Sequence, residues 1–506
     1  MTALIDARTL PDGQVLTADL AIVGGGPAGI ALAIALAGTS LKVVLLESGA
    51  RNFDPAIQRL YGGSIHSTGP AASDYAALDA GRLRLLGGGT NHWGGWCRPM
   101  DAADFEARPW MPHSGWPFSK RALEPYYPRA QSLVEAGPWI YDQKGDAENA
   151  AEGSVLPLGQ GGLYTSWFQF SKTRGSVLPT QFGHRYEAEL KAIPNLMPLL
   201  HANVTAIRLA PDARKVEQLN VATLTGRHST VKPRFVVLAA GGMENARLLL
   251  ASNDVMTAGV GNQNDLVGRF FADNPIPRDV ATLVSFAGPL APFYGSNQIL
   301  NDGAIMRATF APTAAFRRGA QVAGSLSTIE QGVDLDETGK AAVITTAIGL
   351  GVDASNARTY SLGCGIELAP DPDRRLSLSG EKDALGLPRL KLDMRIADRD
   401  FDSFRRTLTE LGRQLLAARI GMLRINCKTR SDWTQRMDWG HHHLGTTRMH
   451  PDPKQGVVDA DGLVHGLANL YVAGSSVFPS YSASNPTLNL VALTLRLGDH
   501  LKKVMT

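Results

Sequence analysis

Cysteine is scarce: Cys97, Cys364 and Cys427 are the only three among 506 residues. They are odd in number, far apart, and form no C-x-x-C pair. That excludes a disulfide framework and argues against a cysteine-held iron–sulfur cluster or structural zinc. A reducing, cytoplasmic setting is the default expectation. Charge is also sparse, at 19% of residues with a formal net charge of +3. No basic run or basic–aromatic stripe points to nucleic acid. The amino-terminal arm carries Asp6, Arg8, Asp12 and Asp19 and lacks the basic-then-apolar order of a secretory leader. The uncharged stretch 20–38 is interrupted by three consecutive glycines and a proline, whereas a membrane-spanning helix needs ~20 apolar residues in a row. Internal repeats and low-complexity tracts are missing. What is present is a globular composition, 44% hydrophobic, on a chain too long for one ordinary core, so two or more domains are expected.

The most informative stretch is Leu20 to Gly49, LAIVGGGPAGIALAIALAGTSLKVVLLESG. It reads as strand, tight turn, helix, strand. Gly24, Gly26 and Gly29 fit G-x-G-x-x-G: one for the turn, one for close approach of a pyrophosphate, one for helix–strand packing. Pro27 suits the first helical turn, and the helix N-terminus offers unpaired N–H groups to phosphate. Glu47 closes the second strand 18 residues after Gly29, placed to accept hydrogen bonds from ribose hydroxyls. This pattern defines a dinucleotide site, equally open at this point to NAD or FAD.

Downstream, Leu86-Gly87-Gly88-Gly89-Thr90-Asn91-His92-Trp93-Gly94-Gly95 packs five glycines into residues 87–95. Such a segment suits backbone laid flat against a ligand. From Trp110 to about Pro198 the texture turns aromatic and proline-rich, with a helix expected over Lys120 to Glu135. Strands follow at Val204–Leu209, Val216–Leu224 and Phe235–Ala240; Gly241-Gly242 and a helix from Glu244 to Ser252 repeat the nucleotide-fold texture. Over 276–440 strand-like runs at Asp279–Phe286, Ala341–Gly351, Tyr360–Leu368 and Leu387–Met394 suggest a mainly antiparallel platform, covered by a helix at Asp398–Ala418.

The C-terminal region holds His441-His442-His443-Leu444-Gly445-Thr446, a strand Leu470–Gly474, and Asn485-Pro486-Thr487-Leu488 opening a helix to about Leu501. Asn at the N-cap followed by Pro is a preferred helix start. That helix mouth suits an anionic ring. In an extended segment His441 and His443 are expected to face away from His442. No carboxylate or cysteine follows the histidines at ligand spacing, so no metal site is expected.

These motifs, in this order along nearly the whole chain, resemble the glucose–methanol–choline (GMC) oxidoreductase family. The GTNHW, HHxxGTTRM and NPTL variants are most similar to its sugar-oxidising branch, the pyranose oxidase and glucoside or fructose dehydrogenase relatives. The resemblance implies an α/β protein: a Rossmann-like FAD-binding domain and a substrate domain with a mainly antiparallel sheet covered by helices. The expected order is FAD-binding 1–109, a substrate or cap segment 110–194, FAD-binding 195–275, substrate-binding 276–440, and a C-terminal FAD-binding part with the catalytic residues, 441–506. It further implies oxidation of a CH–OH group in a sugar, glycoside or other secondary alcohol, with hydride passing to flavin. His442 matches the general base, a task suited to neutral imidazole near pH 7, and Asn485 matches its partner. Gly24, Gly26, Gly29, Glu47, Gly89, Asn91, His92, Val204, Gly474 and Thr487 fall at cofactor contacts. Relatives with a His–Trp pair in this loop often attach FAD covalently through the histidine, here His92. The final electron acceptor would be oxygen or a quinone or cytochrome.

Two departures stand out. The aspartate usual before the C-terminal Gly-Ser is Ala473, and Tyr481 occupies a segment that is usually glycine, where it is expected to narrow the site. The competing readings are an NAD-dependent dehydrogenase, which leaves GTNHW and NPTL unexplained, and a catalytically silent flavoprotein subunit, against which His442 with Asn485 speaks.

Overall fold

The computed structural model describes residues 3–67, 75, 77–141, 155–158, 161–172, 179–300 and 303–505. The first sheet is built on Gln14–Val23, whose Leu20 to Val23 are all buried, next to the equally buried Val43–Leu46. Such a run is apolar on both faces, the pattern of a parallel strand covered from both sides. Parallel pairing joins, in order, Ile5–Asp6, Leu196–Leu200, Val43–Leu46, Gln14–Val23, His228–Leu238 and Leu470–Val472. The long strand His228–Leu238 forks the sheet. Its first residues pair antiparallel with Val216–Ala222, which pairs with Asn203–Leu209, while its last three pair with Leu470–Val472.

The helix Pro27–Ala35 crosses between the first two motif strands, and the last helix, Pro486–Val504, packs against it. They approach closely at Gly498, where an added Cβ would lie 3.1 Å from the Ala35 Cβ. The two ends of the chain therefore share one layer.

The second sheet is antiparallel, ordered Gly421–Ile425, Ala281–Ser285, Arg358–Ile366, Ser325–Gly332, Ile305–Pro312, Leu163–Phe170, Trp96–Cys97. The helix Asp398–Ala417 lies against it, burying Phe404, Leu408, Leu411 and Leu415 along one stripe. A small sheet of Arg375–Lys382, Pro388–Met394 and Gly63–Ser67 bridges the two halves in sequence. The α/β class, with a Rossmann-like part and an antiparallel platform, is what the motifs imply. Among the described residues no helix is long and apolar enough to cross a membrane.

Two local expectations fail. Residues 341–351 are not a strand: Glu337–Leu350 is a helix, capped by the Asp336 side chain at one end and by Gly351 at φ +65° at the other. Its β-branched run resembles a strand, but the caps decide. The helix at Lys120–Glu135 shrinks to Tyr127–Leu133 after two short 3-10 turns, because Pro125 and Pro128 deny it interior N–H donors. Leu163–Phe170, within the 110–194 stretch, is a full member of the second sheet.

Candidate active site

The glycine turn shows three separate duties. Gly24 sits at φ +110°, and a Cβ there would lie 2.5 Å from the Ala239 carbonyl oxygen; at Gly29 a Cβ would lie 1.9 Å from the Gly24 oxygen. Both must be glycine for the turn to close on strand and helix. At Gly26 an added Cβ meets nothing within 4 Å, and the residue lines a cavity of about 410 Å³. That open space lies in front of the Pro27 helix N-terminus, whose free N–H groups and dipole suit an anion. Glu47 is held on the same wall by the Gly25 and Gly49 N–H groups, each donating at 2.7 Å to a different carboxylate oxygen.

The cavity wall also carries Gly89, His92, Val204, Gly474, Thr487, His442 and Asn485. Gly29 and Asn91 lie off it. Gly29 packs beneath the turn, while the Asn91 amide donates to the Leu86 and Gly88 carbonyls at 3.1 and 2.8 Å, fastening the loop internally. Parts of the wall that the motifs do not reveal come from Tyr61, Arg82, Glu244, Arg247, Asp383, Leu385 and Leu387. Arg82 and Arg247 pair there with Glu244, and Arg247 also with Asp383 at 2.7 Å.

His442 and Asn485, 43 positions apart, meet at this wall. Asn485 Nδ2 lies 3.4 Å from His442 Nε2. Asn485 begins the last helix with ψ 135°, as a pre-proline residue must, yet its side chain makes no cap hydrogen bond. It is free for the imidazole. On the other ring edge, His442 Nδ1 lies 2.8 Å from Asn274 Oδ1. Burial, with His441 adding repulsion, lowers the His442 pKa to about 4, so its neutral, proton-accepting form persists well below pH 7.

The neighbouring histidines do not turn away from the site. His441 takes a left-handed φ of +54°, and all three histidines line the cavity. Ligand atoms of His441, His443 and Asp273 lie within 4.8 Å of one another. The buried Asp273 carboxylate is already engaged: Oδ1 accepts from the N–H groups of Asn274 and His442 at 2.6 and 2.7 Å, and Oδ2 from the Tyr75 hydroxyl at 2.7 Å. Burial raises its pKa to about 6 against these donors. Tyr481 does not narrow the cavity. It is 3% exposed, with its hydroxyl donating to the Asp273 carbonyl oxygen and accepting from the Leu368 N–H, both at 2.8 Å.

Asn274 is the residue that motif reading passes over. The chain contains two Asn-Pro dipeptides, Asn274-Pro275 and Asn485-Pro486. Each sets its asparagine against a different ring nitrogen of His442.

A glycine turn open at Gly26, a carboxylate beyond it and an imidazole at the mouth of the last helix thus share one cavity wall. Residues 370–494 match the family model described as GMC oxidoreductase. Over 96% of its length the chain is 25% identical to the fructose dehydrogenase large subunit of Gluconobacter japonicus, covering 98% of that protein. It is likewise 25% identical over 96% of its length to the 6'''-hydroxyparomomycin C oxidase of Streptomyces lividus, covering 92% of it. The solved structure of pyridoxine 4-oxidase from Mesorbium loti shares the fold, at TM-score 0.58 and 19% identity over 96% of this chain and 99% of that one. The chain thus carries a GMC oxidoreductase C-terminal domain over residues 370–494 and is an FAD-dependent alcohol oxidoreductase.

Proposed function

We propose that this enzyme oxidises a carbinol of a sugar or glycoside, or another secondary alcohol, to a carbonyl, with His442 as general base. The observation that carries this reading is the His442–Asn485 pair on the cavity wall, its Nε2 facing the Asn485 amide at 3.4 Å. FAD bound along the wall supplies the two-electron acceptor for the carbinol hydrogen. His442 takes the hydroxyl proton at Nε2, and because its imidazole is neutral no prior deprotonation is needed. Asn485 donates to the same substrate oxygen and holds the carbinol in place. Gly24, Gly26 and Glu47, with Val204, Gly89, Gly474 and Thr487, hold the cofactor.

The sugar class is supported by the substrates that the names of the relatives carry and by Trp93 and Trp96 on the wall. Indole faces offer the flat apolar surface on which the C–H side of a sugar ring rests. Trp93 is fixed by its Nε1–H donating to the Thr180 carbonyl at 3.0 Å, and Trp96 packs on Phe168 and Phe170 at centroid distances of 5.2 and 4.6 Å.

His92 belongs to the same reading as the covalent attachment point for FAD. Burial and His441 lower its pKa, which keeps the ring neutral and nucleophilic. Mass spectrometry of the denatured protein decides between a flavin-bearing peptide at His92 and free FAD. The domain division 1–109, 110–194, 195–275, 276–440 and 441–506 is part of the same proposal, with the strand Leu163–Phe170 aligning the second segment with the substrate side. So are a cytoplasmic setting, in keeping with three buried free cysteines, and oxygen or a quinone or cytochrome as final acceptor. Anaerobic mixing of the yellow enzyme with a panel of sugars, glycosides and plain secondary alcohols tests the reading. Flavin bleaching by a sugar or glycoside is expected; bleaching by none of the panel overturns it.

A further inference from the structure

We propose that Asn274 is a positioning residue that holds His442 as its Nδ1–H tautomer and so leaves Nε2 unprotonated and turned toward Asn485. This rests on reading His442 as the base, but the tautomer itself is a separate property of the ring.

The orientation of one amide fixes where the ring proton sits. Asn274 Nδ2 lies 3.1 Å from the Ile366 carbonyl oxygen, an acceptor with no proton to give. The group facing that carbonyl must therefore be the NH₂, which assigns the other terminus as Oδ1. That oxygen lies 2.8 Å from His442 Nδ1. An amide oxygen cannot donate, so Nδ1 must carry the proton. A neutral imidazole has one N–H. The lone pair is left on Nε2, the nitrogen 3.4 Å from the Asn485 amide.

The amide is placed with little freedom. Asn274 is 3% exposed and Asp273 is fully buried. The Asp273 carboxylate accepts the backbone N–H groups of both Asn274 and His442, tying the two segments at the point where their side chains meet. The left-handed His441 precedes this clamp. The two Asn-Pro dipeptides thus divide the work: one holds the back of the ring, and the other shares its working edge with substrate. Pre-proline backbone is pushed away from helix, so neither asparagine is drawn into a regular element that would turn its side chain elsewhere.

The choice of asparagine over a carboxylate has a consequence for acidity. A neutral acceptor fixes the tautomer without stabilising imidazolium, whereas an aspartate at this position would do both. The charged or titratable groups near the ring are His441 and His443 on its own segment, Asp273 with Tyr75 behind it, His92 on the glycine-rich loop, and Arg82 beside His443. None of them touches Nδ1; Asn274 does.

The test is nitrogen-15 NMR of the histidine rings in the FAD-loaded enzyme, with His442 assigned by the signal missing in His442→Gln. The wild-type ring is expected to show a protonated Nδ1 and a bare Nε2 above its titration. A ring protonated at Nε2 overturns the proposal, and this reading needs no Asn274 variant to fold. Asn274→Ser is expected to give a mixture of tautomers. Asn274→Asp is expected to raise the proton affinity of His442 at least tenfold and to shift the acid limb of anaerobic flavin reduction to higher pH by the same factor. Unchanged tautomer and titration in both variants overturn the proposal even where thermal stability falls, since a merely structural role predicts only that fall. If His442→Gln reduces flavin at the wild-type rate while the wild-type tautomer is as stated, the base assignment fails and the role of Asn274 in holding the ring stands.

Discussion

The cavity wall has two regions built by different means. Around Gly24, Gly26 and Glu47 the work is done by backbone: a turn shaped by glycines, a helix end, and a carboxylate held by two amide N–H groups. Around His442 it is done by side chains drawn from segments near residues 92, 274, 442 and 485. Backbone recognition comes from one short stretch and tolerates no added atom at its closed points. Side-chain recognition is assembled across the whole chain and can be weakened one contact at a time.

The sharpest way to break this contrast is Gly29→Ala. Its Cβ would overlap the Gly24 oxygen at 1.9 Å, so the purified protein is expected to be colourless and to stay so when FAD is added. A yellow Gly29→Ala enzyme would mean the turn is not the anchor. His442→Ala is next in size. It is expected to remain yellow while anaerobic flavin reduction slows by about 10²–10⁴-fold, the usual worth of a general base. Stopped-flow absorbance reads both properties. Asn485→Ala removes the proposed donor to the reacting oxygen, and flavin reduction is expected to slow by about 10–100-fold, equivalent to a hydrogen bond of roughly 1.5–3 kcal/mol to developing charge. Gly26→Ala is the control within the backbone region. Its Cβ has room in the apoprotein but occupies the space offered to the phosphates, so it is expected to fold normally and bind FAD about tenfold more weakly, about 1.4 kcal/mol. Fluorescence titration of apoprotein with FAD measures it.

The smallest effect sharpens the side-chain region through pH. Burial disfavours imidazolium and lowers the His442 pKa from its ordinary 6.5 to about 4. The base form therefore survives to lower pH than in a solvated histidine. The acid limb of flavin reduction is expected to have its midpoint below 6.5, and a midpoint at or above that value would show an imidazole in contact with bulk water.

Legibility follows the same division. The glycine turn, the strands beside it and the acidic end of the second strand are visible in the sequence because short-range geometry dictates which residues stand at which spacing. His442 and Asn485 are visible through resemblance to a known order of motifs. Asn274 is not, since its role depends on a contact across 168 positions and no local pattern encodes it. Tyr481 shows the opposite error: a large residue beside a motif looks like a wall, but its hydroxyl finds two backbone partners in the core and is satisfied there. The helix at Glu337–Leu350 was hidden by its own β-branched residues, whose preference is weaker than a pair of well-made caps.

The contact between Gly498 and Ala35 has a consequence for biosynthesis. A ribosome releases the glycine turn well before the helix Pro486–Val504. Until that helix has emerged, the nascent chain carries one part of the cavity wall without the other. A chain cut short before Pro486 leaves the apolar flank of Pro27–Ala35 without the helix that covers it.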